Sequence, residues 1–151
     1  MRSISFIILA FIFSFFCVAG VSCNRTPYKS LERVLQESAI NTNIGYFYPE
    51  DDFIFFGEIV MDTGDKIFVA QNCHVWGEAL RMTGRILVFN SLYELAGMYV
   101  SITDKPILDG NKLIFPFPEE TGNIIDFKHG IPSKVWLDGH IFEYESVSSI
   151  K

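Results

Sequence analysis

From residue 44 onward, short runs of Ile, Val, Phe and Tyr are separated by turn-forming residues, and this pattern constrains the fold more than any other feature. Gly, Asp, Asn and Pro recur between the runs at intervals of about ten residues, which is typical of an all-β sandwich or barrel. We predict strands over 44–48, 53–61, 66–70, 85–89, 98–102, 112–117, 123–127, 134–137 and 141–145. The sequence therefore predicts a mainly β fold, either a small single-domain barrel (including an OB-like one) or a sandwich, with a short N-terminal helix.

Turn residues set several boundaries between these strands. Asp138-Gly139 is a strong signal for a two-residue hairpin, because such turns require positive φ. Residues 108–111, Leu-Asp-Gly-Asn, predict another turn. Pro116 and Pro118 exclude the second half of 112–117 from a central strand, because proline has no N–H to donate to a ladder.

Capping residues predict two helical segments. Thr26 as N-cap and Pro27 at the first helical position predict a helix over 27–39. Asn90 predicts one or two helical turns that end at Gly97. The chain is thus expected to place one helix before the sheet and one short helical insertion within it.

The N-terminal segment has the layout of an export signal. Residues 4–21 carry no charge, follow Arg2 and end among small residues, which is typical of a secretory signal peptide over 1–22. An apolar run of about 18 residues is also near the minimum that spans a bilayer, so a retained anchor is an alternative.

The border Gly20-Val21-Ser22-Cys23 resembles the bacterial lipoprotein cleavage motif, in which a small residue precedes the cysteine that becomes lipidated. Val21 and Ser22 fit the motif, whereas Gly20 stands where leucine is usual. The resemblance implies lipidation of Cys23, with the membrane as a partner through a two-chain lipid anchor. Ordinary cleavage and secretion is the alternative.

Cleavage after Ser22 divides the chain into a signal peptide (1–22), an N-terminal segment with the short helix (23–43) and a β-rich domain (44–151). The remaining 129 residues suffice for one domain with its own core. Removal of the signal changes the formal charge from −6 to −7, which argues against nucleic acid as a partner. We expect export to the cell envelope or periplasm, with an envelope protein as a further partner.

Two cysteines, Cys23 and Cys73, remain in the mature chain, since Cys17 leaves with the signal. If Cys23 is lipidated, Cys73 has no partner within the chain. If Cys23 is not lipidated, an oxidising compartment permits a disulfide between Cys23 and Cys73. The two outcomes exclude each other.

The sequence offers weak candidates for catalysis. Asn72-Cys73-His74 places a thiol beside an imidazole, but neighbouring side chains of a strand point to opposite faces, so the base would be His129 or His140. The three histidines, His74 included, show no metal-ligand spacing. We predict no catalytic residue, no metal and no cofactor. A small secreted hydrolase or metalloenzyme that uses these residues is the alternative.

Acidic and aromatic clusters complete the candidates. We predict that Glu50-Asp51-Asp52 and Glu119-Glu120 are solvated loop charges. An aromatic group is the candidate binding surface, because some residues of an alternating strand face away from the core; its members are Tyr46, Tyr48, Phe53 and Phe55. The predicted function is that of an exported, lipid-anchored cell-envelope protein that acts as a binding or structural module.

Overall fold

The computed structural model describes residues 30–42 and 47–149. It contains one α-helix, α1 (Leu31–Asn41), and two 3₁₀ turns (Glu119–Thr121 and Val147–Ser149). The strands are β1 (Asp52–Val60), β2 (Lys66–Trp76), β3 (Arg81–Phe89), β4 (Leu95–Val100), β5 (Ile107–Asp109), β6 (Lys112–Ile114), β7 (Ile124–Asp126), β8 (Lys134–Leu137) and β9 (His140–Ser146).

Six strands form a curled antiparallel sheet, a half-barrel, in the order β1-β2-β3-β4-β9-β8. A second antiparallel sheet has the order β5-β6-β7. The predicted mainly β fold with one short helix near the N-terminus is confirmed. Register shifts between Phe55 and Gly57 in β1, and between Val88 and Phe89 in β3, accompany the curl, because an extra residue in one strand bends it and increases its twist.

The two faces of the large sheet bury two separate groups of apolar side chains. One face packs against the three-stranded sheet; its core includes Val69, Ile86, Val88, Tyr99, Leu113, Ile125 and Phe127. The other face packs against α1; its core includes Leu35, Ala39, Phe68, Leu87, Phe89 and Met98. Strands β2 and β3 lie in the middle of this arrangement, so they read as continuous apolar runs rather than as alternating ones.

Helix α1 starts later than predicted. Its N-cap is Ser30, whose Oγ accepts a hydrogen bond from the backbone N–H of Arg33 at 3.3 Å. The predicted cap Thr26 and the first predicted turn lie outside the described residues. Within the ranges that the structure describes, no helix is long and apolar enough to cross a membrane.

Several predicted boundaries are corrected. Residues 47–48 are not in a strand, and the rest of the predicted strand 44–48 lies outside the described residues. The predicted helical turns after Asn90 are wrong: Asn90 Oδ1 accepts hydrogen bonds from the N–H groups of Leu92 and Glu94 in a tight turn between β3 and β4. This local bonding by an asparagine competes with helix formation.

Other local predictions are confirmed. Asp138 and Gly139 have φ of 47° and 76° and connect β8 to β9 as a two-residue hairpin. Strand β6 ends at Ile114, before Pro116. The turn predicted at 108–111 is tighter than expected, because Leu108 and Asp109 belong to β5 and only two residues form the turn.

A close backbone crossing fixes the loop that follows β4. Gly84 of β3 lies under the Ile102 carbonyl, where a Cβ would overlap it. The buried Gln71 side chain donates to the carbonyl oxygens of Ile102, Thr103 and Asp104 at 3.3, 3.3 and 3.1 Å. The loop therefore needs a glycine beneath it and an amide beside it.

Replacing Gly84 tests this crossing. We expect Gly84→Ala to lower the free energy of unfolding by about 2 kcal/mol, because the new methyl group displaces a backbone that Gln71 holds. Urea denaturation measures the change. Gly110→Asn is the control, because no atom lies within 4 Å of a Cβ at Gly110 and Asn tolerates its positive φ. Equal stability of both variants would contradict the crossing.

Candidate functional site

A buried polar network lies where β1, β2 and β3 begin to lose their covering layers. We call it the Asp51 network; its members are Tyr48, Asp51, Asn72, His74 and Arg85. The Asp51 side chain is fully buried, which corrects the prediction of a solvated loop charge at this position. The sequence shows Asp51 in an acidic, Pro-containing loop, and nothing local indicates that the loop folds back over the sheet.

Three donors surround the Asp51 carboxylate. Its Oδ2 accepts from the backbone N–H of Tyr48 at 3.1 Å and from Asn72 Nδ2 at 3.0 Å. Its Oδ1 lies 2.5 Å from His74 Nδ1. A buried carboxylate is tolerated in a protein only when its oxygens are paired in this way. The network thus fastens the segment before β1 onto β2.

Aromatic and cationic contacts extend the network. The Tyr48 ring stacks on the His74 ring, with centroids 4.6 Å apart. Arg85 Nη1 donates to Asn72 Oδ1 at 3.1 Å, and the guanidinium carbon lies 5.6 Å from the centroid of the Phe47 ring. Arg85 is buried. The polar side chains of this region therefore serve one another as partners.

The Asp51–His74 contact is one half of the arrangement that activates a nucleophile. A carboxylate on Nδ1 fixes the orientation of an imidazole, and catalysis then requires a nucleophile at the other ring nitrogen. Asn72 and His74 both reach Asp51, so Cys73 between them points to the opposite face of β2. The thiol and the imidazole are thus not brought together, as the alternation of strand side chains predicts.

Cys73 is a half-buried free thiol. Burial, and after it the charge of Asp52, raises the pKa of the Cys73 thiol above its ordinary value of 9.0. A raised pKa keeps the thiol protonated and weakens it as a nucleophile. The predicted sites that involve Cys23, lipidation and a disulfide to Cys73, lie outside the described residues and stay predictions.

The structure places the three histidines in different surroundings. His74 belongs to the Asp51 network, and exposed His129 pairs with Asp62 at 2.9 Å. His140 begins β9 and lines a cavity of about 180 Å³ between the 101–104 loop and hairpin β8–β9. Among the described residues, no three His, Cys, Asp or Glu side chains are grouped closely enough to hold a metal ion.

The predicted aromatic surface is divided. Tyr48 is exposed and covers His74, whereas Phe53 and Phe55 are half-buried beside the core under α1. Phe53 packs edge-on against Phe89, and Phe55 packs against Phe68. Tyr46 lies outside the described residues. A binding role for this group stays a prediction.

A different apolar surface was missed by sequence reasoning. Strand β2 pairs with β1 only as far as Cys73, and strand β3 pairs with β4 only from Arg85 onward. Hairpin β2–β3 therefore continues beyond both of its neighbours as a two-stranded projection. Residues 75–82 are all exposed; we call this segment the β2–β3 tip.

Large apolar side chains occupy four of the eight positions of the β2–β3 tip. Leu80 is 76% exposed and Trp76 is 46% exposed, and Val75 and Met82 are exposed to a similar extent as Trp76. The Arg81 guanidinium lies over the Trp76 ring at 5.5 Å. Val75 and Met82 are cross-strand partners on one face of the hairpin, and Trp76 lies on the other face. Single exposed apolar residues are ordinary, but a group that occupies both faces and the turn of one projection marks a contact surface. The sequence does contain a signal for this surface: apolar residues continue through 75–82, between two predicted strands, in a segment that is too long to be a turn alone.

Replacing Asp51 tests whether its side chain belongs to a structural network or is a solvated charge. We expect Asp51→Ala to lower the free energy of unfolding by about 3 kcal/mol, because Asn72 and the Tyr48 N–H lose their buried acceptor. Its exposed neighbour supplies the control: Asp52→Ala is expected to change stability by less than about 0.5 kcal/mol. Urea denaturation of both variants measures the difference. Similar midpoints for the two variants would show that the network contributes no stability.

The Cys73 thiol predicts a pH dependence. Its folded-state pKa is raised above 9.0, so the unfolded chain releases this proton first as the pH rises. The contribution of the thiol to stability is therefore complete below pH 9 and is lost as the pH passes through the folded-state pKa. Iodoacetamide alkylation should be slow at neutral pH, and its rate should rise about tenfold per pH unit, with the thiolate fraction, and level off only above pH 9. Cys73→Ser is the control for the stability profile, and an alkylation rate that levels off below pH 9 would contradict the prediction.

No protein-family model matches the sequence, no curated protein is significantly similar to it, and no solved structure matches it. No activity and no site residue is therefore transferred from a relative. A function is inferred from the Asp51 network, the half-buried Cys73 thiol and the exposed β2–β3 tip of this chain itself.

Proposed function

We propose that this chain is an exported cell-envelope protein, held at a membrane through lipidated Cys23, whose β-rich domain acts by binding rather than by catalysis. The β2–β3 tip is the observation that carries the proposal. It exposes apolar side chains on both faces and at the turn of a projection that no other described element covers. Such exposure is unfavourable in water unless a partner covers it.

The surroundings of the reactive side chains support binding over the hydrolase alternative. Cys73 points away from His74, and its thiol has a raised pKa. The His74 ring is engaged by Asp51 on one nitrogen and by Tyr48 on one face. These groups stabilise the base of the hairpin, which is a structural role.

The N-terminal part of the proposal is carried by the sequence. An uncharged run before Ser22-Cys23 is the layout of an exported lipoprotein. A cysteine with two acyl chains holds a protein firmly at a bilayer, where one chain holds it only weakly. The acidic charge of the remaining chain fits a role away from nucleic acid.

The intact mass of the mature protein tests this proposal. We expect protein extracted from the membranes of its native host to begin at Cys23, to carry acyl mass and to show one free thiol, Cys73. A Cys23→Ser variant should lose both the acyl mass and the membrane association. The measurement is mass spectrometry with a thiol count before and after reduction.

Two other results would contradict lipid anchoring. Soluble protein without acyl mass, in which two thiols appear only on reduction, would establish the disulfide between Cys23 and Cys73. Membrane protein that retains residues 1–22 would establish the uncleaved anchor instead.

A further inference from the structure

We propose that the β2–β3 tip rests in the surface of the lipid bilayer to which the chain is tethered. The inference rests on the proposed function, because it takes the anchor at Cys23 as given. It adds the chemistry of the partner, which is the headgroup and upper acyl region of a membrane.

The position of the start of α1 carries the argument. Ser30, together with Glu32 and Arg33, borders a surface depression of about 370 Å³ beside Asp51–Phe53 at the start of β1. In the sheet, Asp52 pairs with Cys73, immediately before the projecting part of β2. Helix α1 therefore starts at the end of the sheet from which the β2–β3 tip projects.

The course of α1 confirms which end this is. Its last residues border Leu92, Tyr93 and Val147, beside the turn between β3 and β4. That turn lies at the opposite end of β3 from the β2–β3 tip. Helix α1 thus starts at the tip end and runs diagonally away from it.

The length of the tether limits how far the domain stands from a membrane. Seven residue steps separate Cys23 from Ser30, which allows at most about 25 Å even when fully extended. The tip extends roughly 10 Å beyond Cys73, given three further residues of β2 and the strand rise, and Ser30 lines the same depression as Asp52, the partner of Cys73. A domain held at this distance by this end presents the tip to the bilayer.

The side chains of the tip suit the region between water and acyl chains. Trp76 joins an apolar ring to a polar N–H, and tryptophan is enriched at this depth of membranes. Leu80 and Met82 supply apolar area, and Arg81 supplies a cation for lipid phosphate. The chain as a whole is acidic, so insertion of apolar side chains, and not general attraction to anionic lipid, is the source of the contact.

A second hairpin turns at the same end of the sheet. Strand β9 runs antiparallel to β4 and pairs Tyr144 with Tyr99. Its first residue, His140, therefore lies beyond Tyr99 in the direction of Val100, which is the direction of the tip end of the sheet. Hairpin β8–β9 exposes Trp136 and Ile141 as a cross-strand pair. Both tryptophans of the chain are thus exposed on hairpins that turn at the end of the sheet where α1 starts.

Fluorescence of Trp76 tests the inference. The mature lipidated protein carrying Trp136→Phe, in which Trp76 is the only tryptophan, is reconstituted in vesicles of phosphatidylethanolamine and phosphatidylglycerol. We expect a blue-shifted emission that lipids with brominated acyl chains quench. Adding Leu80→Asn should reduce this quenching at least about twofold, because it removes apolar area from the inserted surface. Asn also tolerates the positive φ of Leu80.

Leu92→Asn is the matched control. Leu92 is 72% exposed, close to the 76% of Leu80, and it lies at the opposite end of the sheet. This substitution should leave the quenching of Trp76 unchanged. An equal reduction by both substitutions would overturn the inference, because it would show that the effect does not depend on the tip.

Flotation of the same vesicles separates the two proposals. Protein that floats with the vesicles, while Trp76 is quenched by aqueous iodide and not by brominated lipid, retains its anchor but overturns contact of the tip with lipid. Protein that does not float overturns the lipid anchor and the inference together. Flotation with quenching by brominated lipid supports both.

Discussion

The covering of β2 and β3 on both faces is the constraint on which the rest of the structure depends. Between Ile67 and Gln71, and between Arg85 and Phe89, these strands bury side chains against a small sheet on one side and a helix on the other. Burial of apolar area is the main favourable term in folding, so two layers are needed where both faces are apolar. The small sheet and α1 supply these layers. Where these two layers end, the side chains of hairpin β2–β3 become exposed to solvent.

The Asp51 network occupies this border. Here a strand passes from apolar surroundings into water, and its polar side chains need partners that neither layer supplies. The segment before β1 folds over the sheet and provides Asp51 as a common acceptor for Asn72 and His74. A buried carboxylate is costly without donors, and the donors are costly without it. The arrangement that resembles part of a catalytic triad is therefore explained by the requirements of the border.

Local patterns reveal the strands and turns but not the network. Apolar runs and turn residues such as Asp138-Gly139 act over a few residues, and these predictions are confirmed. The predicted end of β2 at Ala70 fell six residues short, because Gln71 and Asn72 interrupt the apolar run. Both are buried, since their amides reach residues 21 to 33 positions away along the chain. Partners at such distances leave no periodic signal, so the burial of Asp51 was not predictable either.

The network and the tip are mechanically connected. A two-stranded hairpin in water is only marginally stable by itself, so a projection keeps its direction only if its base is fixed. Asn72, His74 and Arg85 are that base. They lie at or next to the last residues of β2 and β3 that pair with β1 and β4, and Asp51 joins Asn72 and His74 to the start of β1. Ser30, the N-cap of α1, lines the same surface depression as Asp51. One buried acid therefore joins the segment before β1 to the root of the hairpin, which fixes the direction in which the tip points relative to the sheet.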